Sequence, residues 1–198
     1  RESTDFARLV TGFFTDFLPL QRNYSKNTIL SYRDSLKLLT LFITETKGIR
    51  LVDFTMEKFD RQLIVEYIDW IRSRGGSIST ANQRLAAIKT FAEYAGYQTI
   101  EHLAPLQMVQ GIKAKKTTSR EIIFLSVEQI TMLINRPDIN CRTGLRHRVI
   151  LTLLYDSGCR VQELCDLKIR DINIGSDPTV RLHGKGDKYR TVTISERL

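Results

Sequence analysis

Leu153-Leu154-Tyr155-Asp156-Ser157-Gly158-Cys159-Arg160-Val161-Gln162-Glu163-Leu164 interrupts an apolar helical run at Ser157-Gly158-Cys159 and resumes helical spacing at Arg160. The resumed run goes through Val161, Leu164 and Leu167 to Lys168. A glycine just ahead of an arginine that opens a helix puts the guanidinium near a helix N-terminus, a location suited to phosphate. Glu163, one turn further on, can hold that guanidinium through charge-assisted hydrogen bonds. An ordinary i,i+3 surface ion pair would have the same spacing.

Downstream the period shortens. Ile172 and Ile174 alternate, Gly175-Ser176-Asp177-Pro178 turns, Val180 and Leu182 alternate, Gly184-Lys185-Gly186-Asp187 turns, and Thr191 to Ile194 is β-prone. Such alternation bounded by turn residues predicts a small three-stranded antiparallel sheet. Lys185 then falls between two glycines at a hairpin tip, with Lys188 and Arg190 close behind. A tip of this kind can reach into a DNA groove, and its ammonium can give a proton to a leaving oxygen. A plain basic hairpin with turn-forming glycines fits the same residues. A Walker loop does not, since that needs G-x-x-x-x-G-K-[ST] between a strand and a helix.

Upstream, apolar residues recur at three and four. Phe6, Leu9, Val10, Phe13, Phe14 and Phe17 make one amphipathic stripe; Ile29, Tyr32, Leu36, Leu39 and Ile43 make a second, with Ser25 or Asn27 as cap. A third, Leu63, Tyr67, Ile68 and Ile71, ends at Gly75-Gly76. A fourth, Leu85, Ile88, Phe91, Ala92 and Ala95, starts from Ser77 or Ser79 and stops near Gly96. Four helices on short loops predict a compact helical domain over residues 1–110. Residues 111–121 contain Lys113, Lys115, Lys116 and Arg120 with little apolar surface, and read as a basic linker. Residues 122–198 form a second unit, opening at Phe124-Leu125 and Ser126 with Glu128 and Gln129 in the first turn. Leu145 to Tyr155 reads as a buried helix through Val149, Ile150, Leu153 and Leu154. The fold class expected is mainly α with a small antiparallel β-sheet.

Formal net charge is +8 over 198 residues, +3 in residues 1–100 and +5 in residues 101–198. That balance suits a polyanionic partner such as DNA or a membrane surface. No apolar run approaches the roughly 20 residues of a membrane span, and with DNA as the partner that the whole reading favours, no membrane partner is expected. Cys141, Cys159 and Cys165 show no C-x-x-C pairing, and His102, His147 and His183 are scattered. Reduced thiols in a cytoplasmic protein are expected, with no metal site.

Together, helix-Gly-x-Arg-x-x-Glu-Leu and the later Gly-Lys-Gly-x-Lys-x-Arg resemble the tyrosine recombinase (phage integrase) family. Ser25-Lys26-Asn27-Thr28 with Tyr32, and Thr80-Ala81-Asn82-Gln83-Arg84-Leu85 with Phe91, look like the second and fourth helices of that family's SAM-like core-binding domain. Phe124-Leu125-Ser126-Val127-Glu128-Gln129 looks like the opening of its α+β catalytic domain. The resemblance implies that Arg160 is the first catalytic arginine, that Lys185 is the general acid for the leaving 5′ oxygen, and that Glu163 is a support. It implies DNA contacts from Lys26, Thr28 and Ser31, and from Thr80, Gln83, Arg84 and Ala87 in a major groove. Lys113, Lys115 and Lys116 in the linker and Lys188 and Arg190 in the hairpin would add to these. The implied partner is a double-stranded recombination site, bound by four protomers on two sites at the bacterial nucleoid, with no cofactor. The family's His-x-x-Arg box and nucleophilic tyrosine would follow the sheet, and none of the seven tyrosines stands in a suitable context. The chain is therefore expected to bind DNA without cleaving it, as a truncated piece of the enzyme; a non-catalytic DNA-binding regulator or a recombinase remnant is the rival.

Overall fold

A computed structural model describes residues 3–118, 123–184 and 186–195. The chain divides into two compact units, Arg1–Arg120 and Glu121–Leu198.

The first unit is helical. Helix α1 (Asp5–Gly12) starts at Thr4, whose Oγ1 accepts the Ala7 N–H at 3.3 Å. It runs into a π-helical segment, Phe13–Gln21, that contains Pro19. Phe13, Phe17 and Leu18 are buried there. Their spacing of four and five fits the wider i→i+5 turn. Helix α2 (Lys26–Glu45) is capped by Ser25 and buries Leu36, Leu39, Phe42 and Ile43. Helix α3 (Arg61–Ser73) is capped by Asp60 and stops before Gly75, whose φ of +86° is disfavoured for residues with a β-carbon. Helix α4 (Ile78–Gln98) takes its cap from Ser77 rather than Ser79 and runs two residues past Gly96. A fifth helix, α5 (Leu103–Gln110), buries Leu106 and Val109; the four-helix expectation missed it. Phe91 lies at the hub of the core, edge-on to Phe6 at 5.7 Å, Phe13 at 5.3 Å and Phe59 at 5.4 Å.

The second unit begins with α6 (Val127–Asn135), closed by a reciprocal capping box between Ser126 and Gln129. Helix α7 (Arg142–Ser157) ends at Gly158, which is left-handed at φ 56°. A short helix, α8 (Val161–Cys165), follows and is only five residues long, not extending to Lys168. Strands β1 (Ile172–Asn173), β2 (Thr179–Gly184) and β3 (Lys188–Thr193) pair antiparallel in the order β1-β2-β3, the sheet expected from alternation. Leu153, Cys159, Val180, Leu182 and Ile194 make its core. The expectation that α7 is buried along its length holds only for its end. Leu153 is 5% exposed, whereas Leu145 and Val149 are 51% and 39% exposed; among the described residues the sheet's core takes in Leu153 and Leu154, from the C-terminal turns of α7.

Candidate phosphate site and nucleic-acid face

Gly158 turns the chain so that Arg160 becomes the N-cap of α8 and its side chain is 70% exposed. Five residues of helix supply little dipole, so the capacity to bind an anion rests on the guanidinium rather than on the helix end. Glu163 is 4% exposed and accepts four hydrogen bonds. Its Oε2 takes the Arg160 backbone N–H at 2.8 Å and Arg190 Nη2 at 2.7 Å. Its Oε1 takes Arg160 Nη1 and Arg190 Nη1, both at 2.9 Å. The Arg190 fork, followed by the Arg160 amide, holds the Glu163 carboxyl down to about 2, against the pull of burial. Arg190 was expected to face DNA. It is instead committed to Glu163 through both terminal nitrogens, and sequence reasoning missed this pairing across 27 residues.

The hairpin sorts its side chains by strand alternation. Val180 and Leu182 face the core, while Arg181, His183 and Tyr189 face out. The His183 ring stacks on Tyr189 at 4.6 Å, and the Arg181 guanidinium lies 4.3 Å from the Tyr189 ring centre. His183 Nε2 sits 2.7 Å from Asp187 Oδ1, which brings the two sides of the turn together. Asp187 and Gly186 both have positive φ, +59° and +78°. Lys188 is exposed, and Lys185 lies outside the described residues.

In the first unit, α2 and α4 share a polar seam. Gln83 Nε2 donates to Ser31 Oγ at 3.0 Å, and Arg84 Nη1 donates to the Ser31 carbonyl at 3.2 Å and to Ser35 Oγ at 3.1 Å. Tyr67 closes the network by donating to the Ser35 carbonyl at 3.0 Å, and burial pushes its phenol far up. Arg84 Nε is buried without a hydrogen-bond partner. Lys26 and Gln83 are exposed, and Thr28, Ser31 and Thr80 are half-buried along the same two helices. Ala87 is a correction: it is 3% exposed and presents nothing to solvent. It lies one turn before the buried Phe91 and shares that face of α4.

The basic segment after α5 is partly anchored. Asn82 Nδ2 donates to the Lys115 carbonyl at 2.8 Å and Asn82 Oδ1 accepts the Lys115 N–H at 3.0 Å. Lys115 Nζ is 3.0 Å from Asp69 Oδ1, so its charge is shared with a carboxylate. Lys113 and Lys116 are exposed, and Arg120 lies outside the described residues.

Comparison with known proteins matches residues 13–98 to the N-terminal SAM-like domain of phage integrases and residues 123–198 to the phage integrase family. The chain is 34% identical over 185 residues to the putative integrase/recombinase y4rC of Sinorhizobium fredii, covering 93% of this chain and 56% of that protein. It is 31% identical over 194 residues to y4rD of the same organism, covering 97% and 69%. Tyrosine recombinase XerD of Staphylococcus haemolyticus is 31% identical over 183 residues, covering 92% and 59%. The chain thus spans a little over half of the length of y4rC and XerD. Among solved structures, the XerH site-specific recombinase bound to palindromic difH substrate superposes with a TM-score of 0.65 at 22% identity, covering 88% of this chain and 50% of that one. A lambda integrase tetramer bound to a Holliday junction gives 0.67 at 14% identity, covering 95% and 50%. At those identities the likeness is one of fold, a SAM-like helical unit followed by a recombinase catalytic unit.

Proposed function

The chain belongs to the phage integrase family of tyrosine recombinases, and we propose on that premise that it forms the DNA-binding unit and the first part of the catalytic unit of a site-specific DNA recombinase. The observation that carries this reading is the exposed Arg160 guanidinium, fixed by a buried carboxylate that is itself doubly paired with arginine. Two arginines around one glutamate leave the cluster net positive, the sign a scissile phosphate needs. A guanidinium presents two parallel donors to phosphate oxygens and gains strength as negative charge builds up in a pentacovalent transition state.

In the complete enzyme a tyrosine oxygen attacks the phosphodiester and the 5′ oxygen leaves with a proton from Lys185. A 3′-phosphotyrosyl link and a free 5′ hydroxyl result, and that hydroxyl then attacks a partner strand. The link conserves the bond energy, so no nucleotide cofactor is required. We place the nucleophile outside these 198 residues, which leaves this chain competent to bind duplex DNA and unable to cleave it alone. Lys26, Thr28, Ser31, Thr80 and Gln83 supply the helical face for a major groove, and Lys113, Lys116 and Lys188 add exposed charge; Arg84, expected on that face, is instead turned into the seam between α2 and α4. Four protomers acting on two sites is the assembly the lambda integrase tetramer suggests. Among the described residues no helix is long and apolar enough to cross a membrane, and the site of action proposed is the bacterial nucleoid.

The test is a titration of this chain against duplex DNA over a series of salt concentrations. Neutralising phosphates releases counterions, so log affinity falls linearly with log salt. Binding that is absent at low salt, or indifferent to salt, overturns the reading. For the full-length protein, a covalent adduct on a nicked duplex marks the enzyme, while tight binding with no adduct favours a DNA-binding regulator.

A further inference from the structure

Glu163 could hold Arg160 with one oxygen and the adjacent backbone amide, and a surface ion pair would need nothing more. The structure adds a second arginine from β3. Arg190 stands opposite Leu182 in the β2–β3 register, on the inner side of the hairpin, whereas its neighbour Tyr189 faces outward with His183. Its fork takes one oxygen of Glu163 with each terminal nitrogen, at 2.9 and 2.7 Å. Two parallel bonds of this kind fix the plane of a carboxylate, which a single contact leaves free to rotate. The base of the hairpin is fitted to the same group. A β-carbon on Gly184 would lie 3.1 Å from Glu163 Oε1 and 3.6 Å from Arg190 Nη1, so the carboxylate, the guanidinium and the strand are in close contact.

Charge points the same way. Arg160 and Glu163 alone make a neutral pair, which attracts a phosphate weakly. With Arg190 included the cluster carries a net positive charge, while the extra cation is turned toward Glu163 and leaves the Arg160 side chain the more exposed of the two, at 70% against 39%.

We propose that Arg190 is a positioning residue: its guanidinium fixes the Glu163 carboxylate in the orientation that presents Arg160 to a phosphate, and it ties the base of the hairpin to the start of α8. This rests on the reading of Arg160 as a phosphate-binding residue given above. It separates Arg190 from Lys188, its exposed neighbour, which remains available to DNA.

Two measurements test it. In this chain, carbon-detected NMR follows the Glu163 carboxyl through an acid titration in the wild type, Arg190→Met and Arg190→Lys. The carboxyl should stay ionised to about pH 2 in the wild type, titrate at clearly higher pH in Arg190→Met, and fall between in Arg190→Lys, whose ammonium cannot make a fork. In the full-length recombinase, Arg190→Met should slow single-turnover cleavage by roughly 10²-fold, the scale expected for an ångström's misplacement of a reacting group. DNA affinity should stay within about twofold, since Arg190 makes no phosphate contact of its own and many other bases carry the binding. Adding Glu163→Gln to Arg190→Met should cost little more, because the two act as one unit. An unmoved Glu163 titration, wild-type cleavage by Arg190→Met, or a defect confined to affinity each overturns the proposal. If the wild-type full-length protein cleaves no DNA, the recombinase reading fails, and the carboxyl titration still decides whether Arg190 holds Glu163.

Discussion

Gly144 is packed so tightly against Asp138 that a β-carbon on it would lie 1.9 Å from the Asp138 carbonyl oxygen. The turn before α7 is laid directly on the first turn of that helix, where Cys141 Sγ accepts the Gly144 N–H at 3.3 Å. Gly144→Ala should therefore destabilise the second unit by about 1–3 kcal/mol or more, the usual cost of forcing extra volume into a packed contact. Denaturant unfolding followed by a probe in the second unit measures it. An unchanged midpoint would mean that the turn can lift away at no cost.

Acid should weaken the second unit through Glu163. Its folded-state carboxyl is lowered from 4.5 to about 2, so the stability it contributes is fully present above 4.5 and is lost as the pH falls toward 2. Melting curves between those limits should show a decline that Glu163→Gln flattens. The variant should also be less stable at neutral pH, where two arginines then face a neutral amide. A wild-type decline of equal steepness in Glu163→Gln would assign acid sensitivity to other groups.

Phe91→Ala should cost the first unit about 3–5 kcal/mol, the range for removing a large buried side chain. Phe91 is fully buried and meets three other phenylalanines edge-on. Because the chain divides into two compact units, unfolding of the second, monitored separately, should be unaffected. A shared loss would show that the two unfold as one.

Lys185→Ala in the full-length recombinase should slow strand cleavage by roughly 10²–10⁴, the usual contribution of a general acid, with DNA binding mostly intact. A 5′-bridging phosphorothiolate, whose sulfur leaves without protonation, should restore much of the rate. Failure of that substrate to rescue would leave Lys185 with phosphate positioning alone.

Local chemistry was legible in the sequence, and pairing at a distance was not. Ser25, Ser77 and Ser126 announce helix starts because a hydroxyl satisfies amide donors two or three residues away. The hairpin was readable from alternation and glycine-rich turns. Helix α5 went unread because Leu103–Gln110 has Pro105 in its first turn, no side-chain cap and too few residues for a clear period. The π-helical segment was invisible for a similar reason, since phenylalanines at spacings of three and four fit an α-helix equally well. Ala87 carries too little apolar signal to show which way it faces. The role of Arg190 could not be read because nothing local marks a basic residue in a basic hairpin as the partner of a carboxylate in another element. The one available clue was strand parity, which places Arg190 on the same side as Leu182 and Val192.

The orphaned Nε of Arg84 bears on how this protein can evolve. A guanidinium wedged between two helices, bound to a carbonyl and a hydroxyl and among the described residues to no carboxylate, is a poor choice for a fold selected only for durability. Replacing it with methionine should raise the melting temperature of the first unit, as apolar substitution of buried charge often does, and under the proposed function it should weaken DNA binding by loosening the seam that sets Ser31 and Gln83. Under that proposal, selection for thermal robustness and selection for recombination would pull this one position in opposite directions, and a heat-adapted variant of the chain would have to recover its grip on DNA elsewhere.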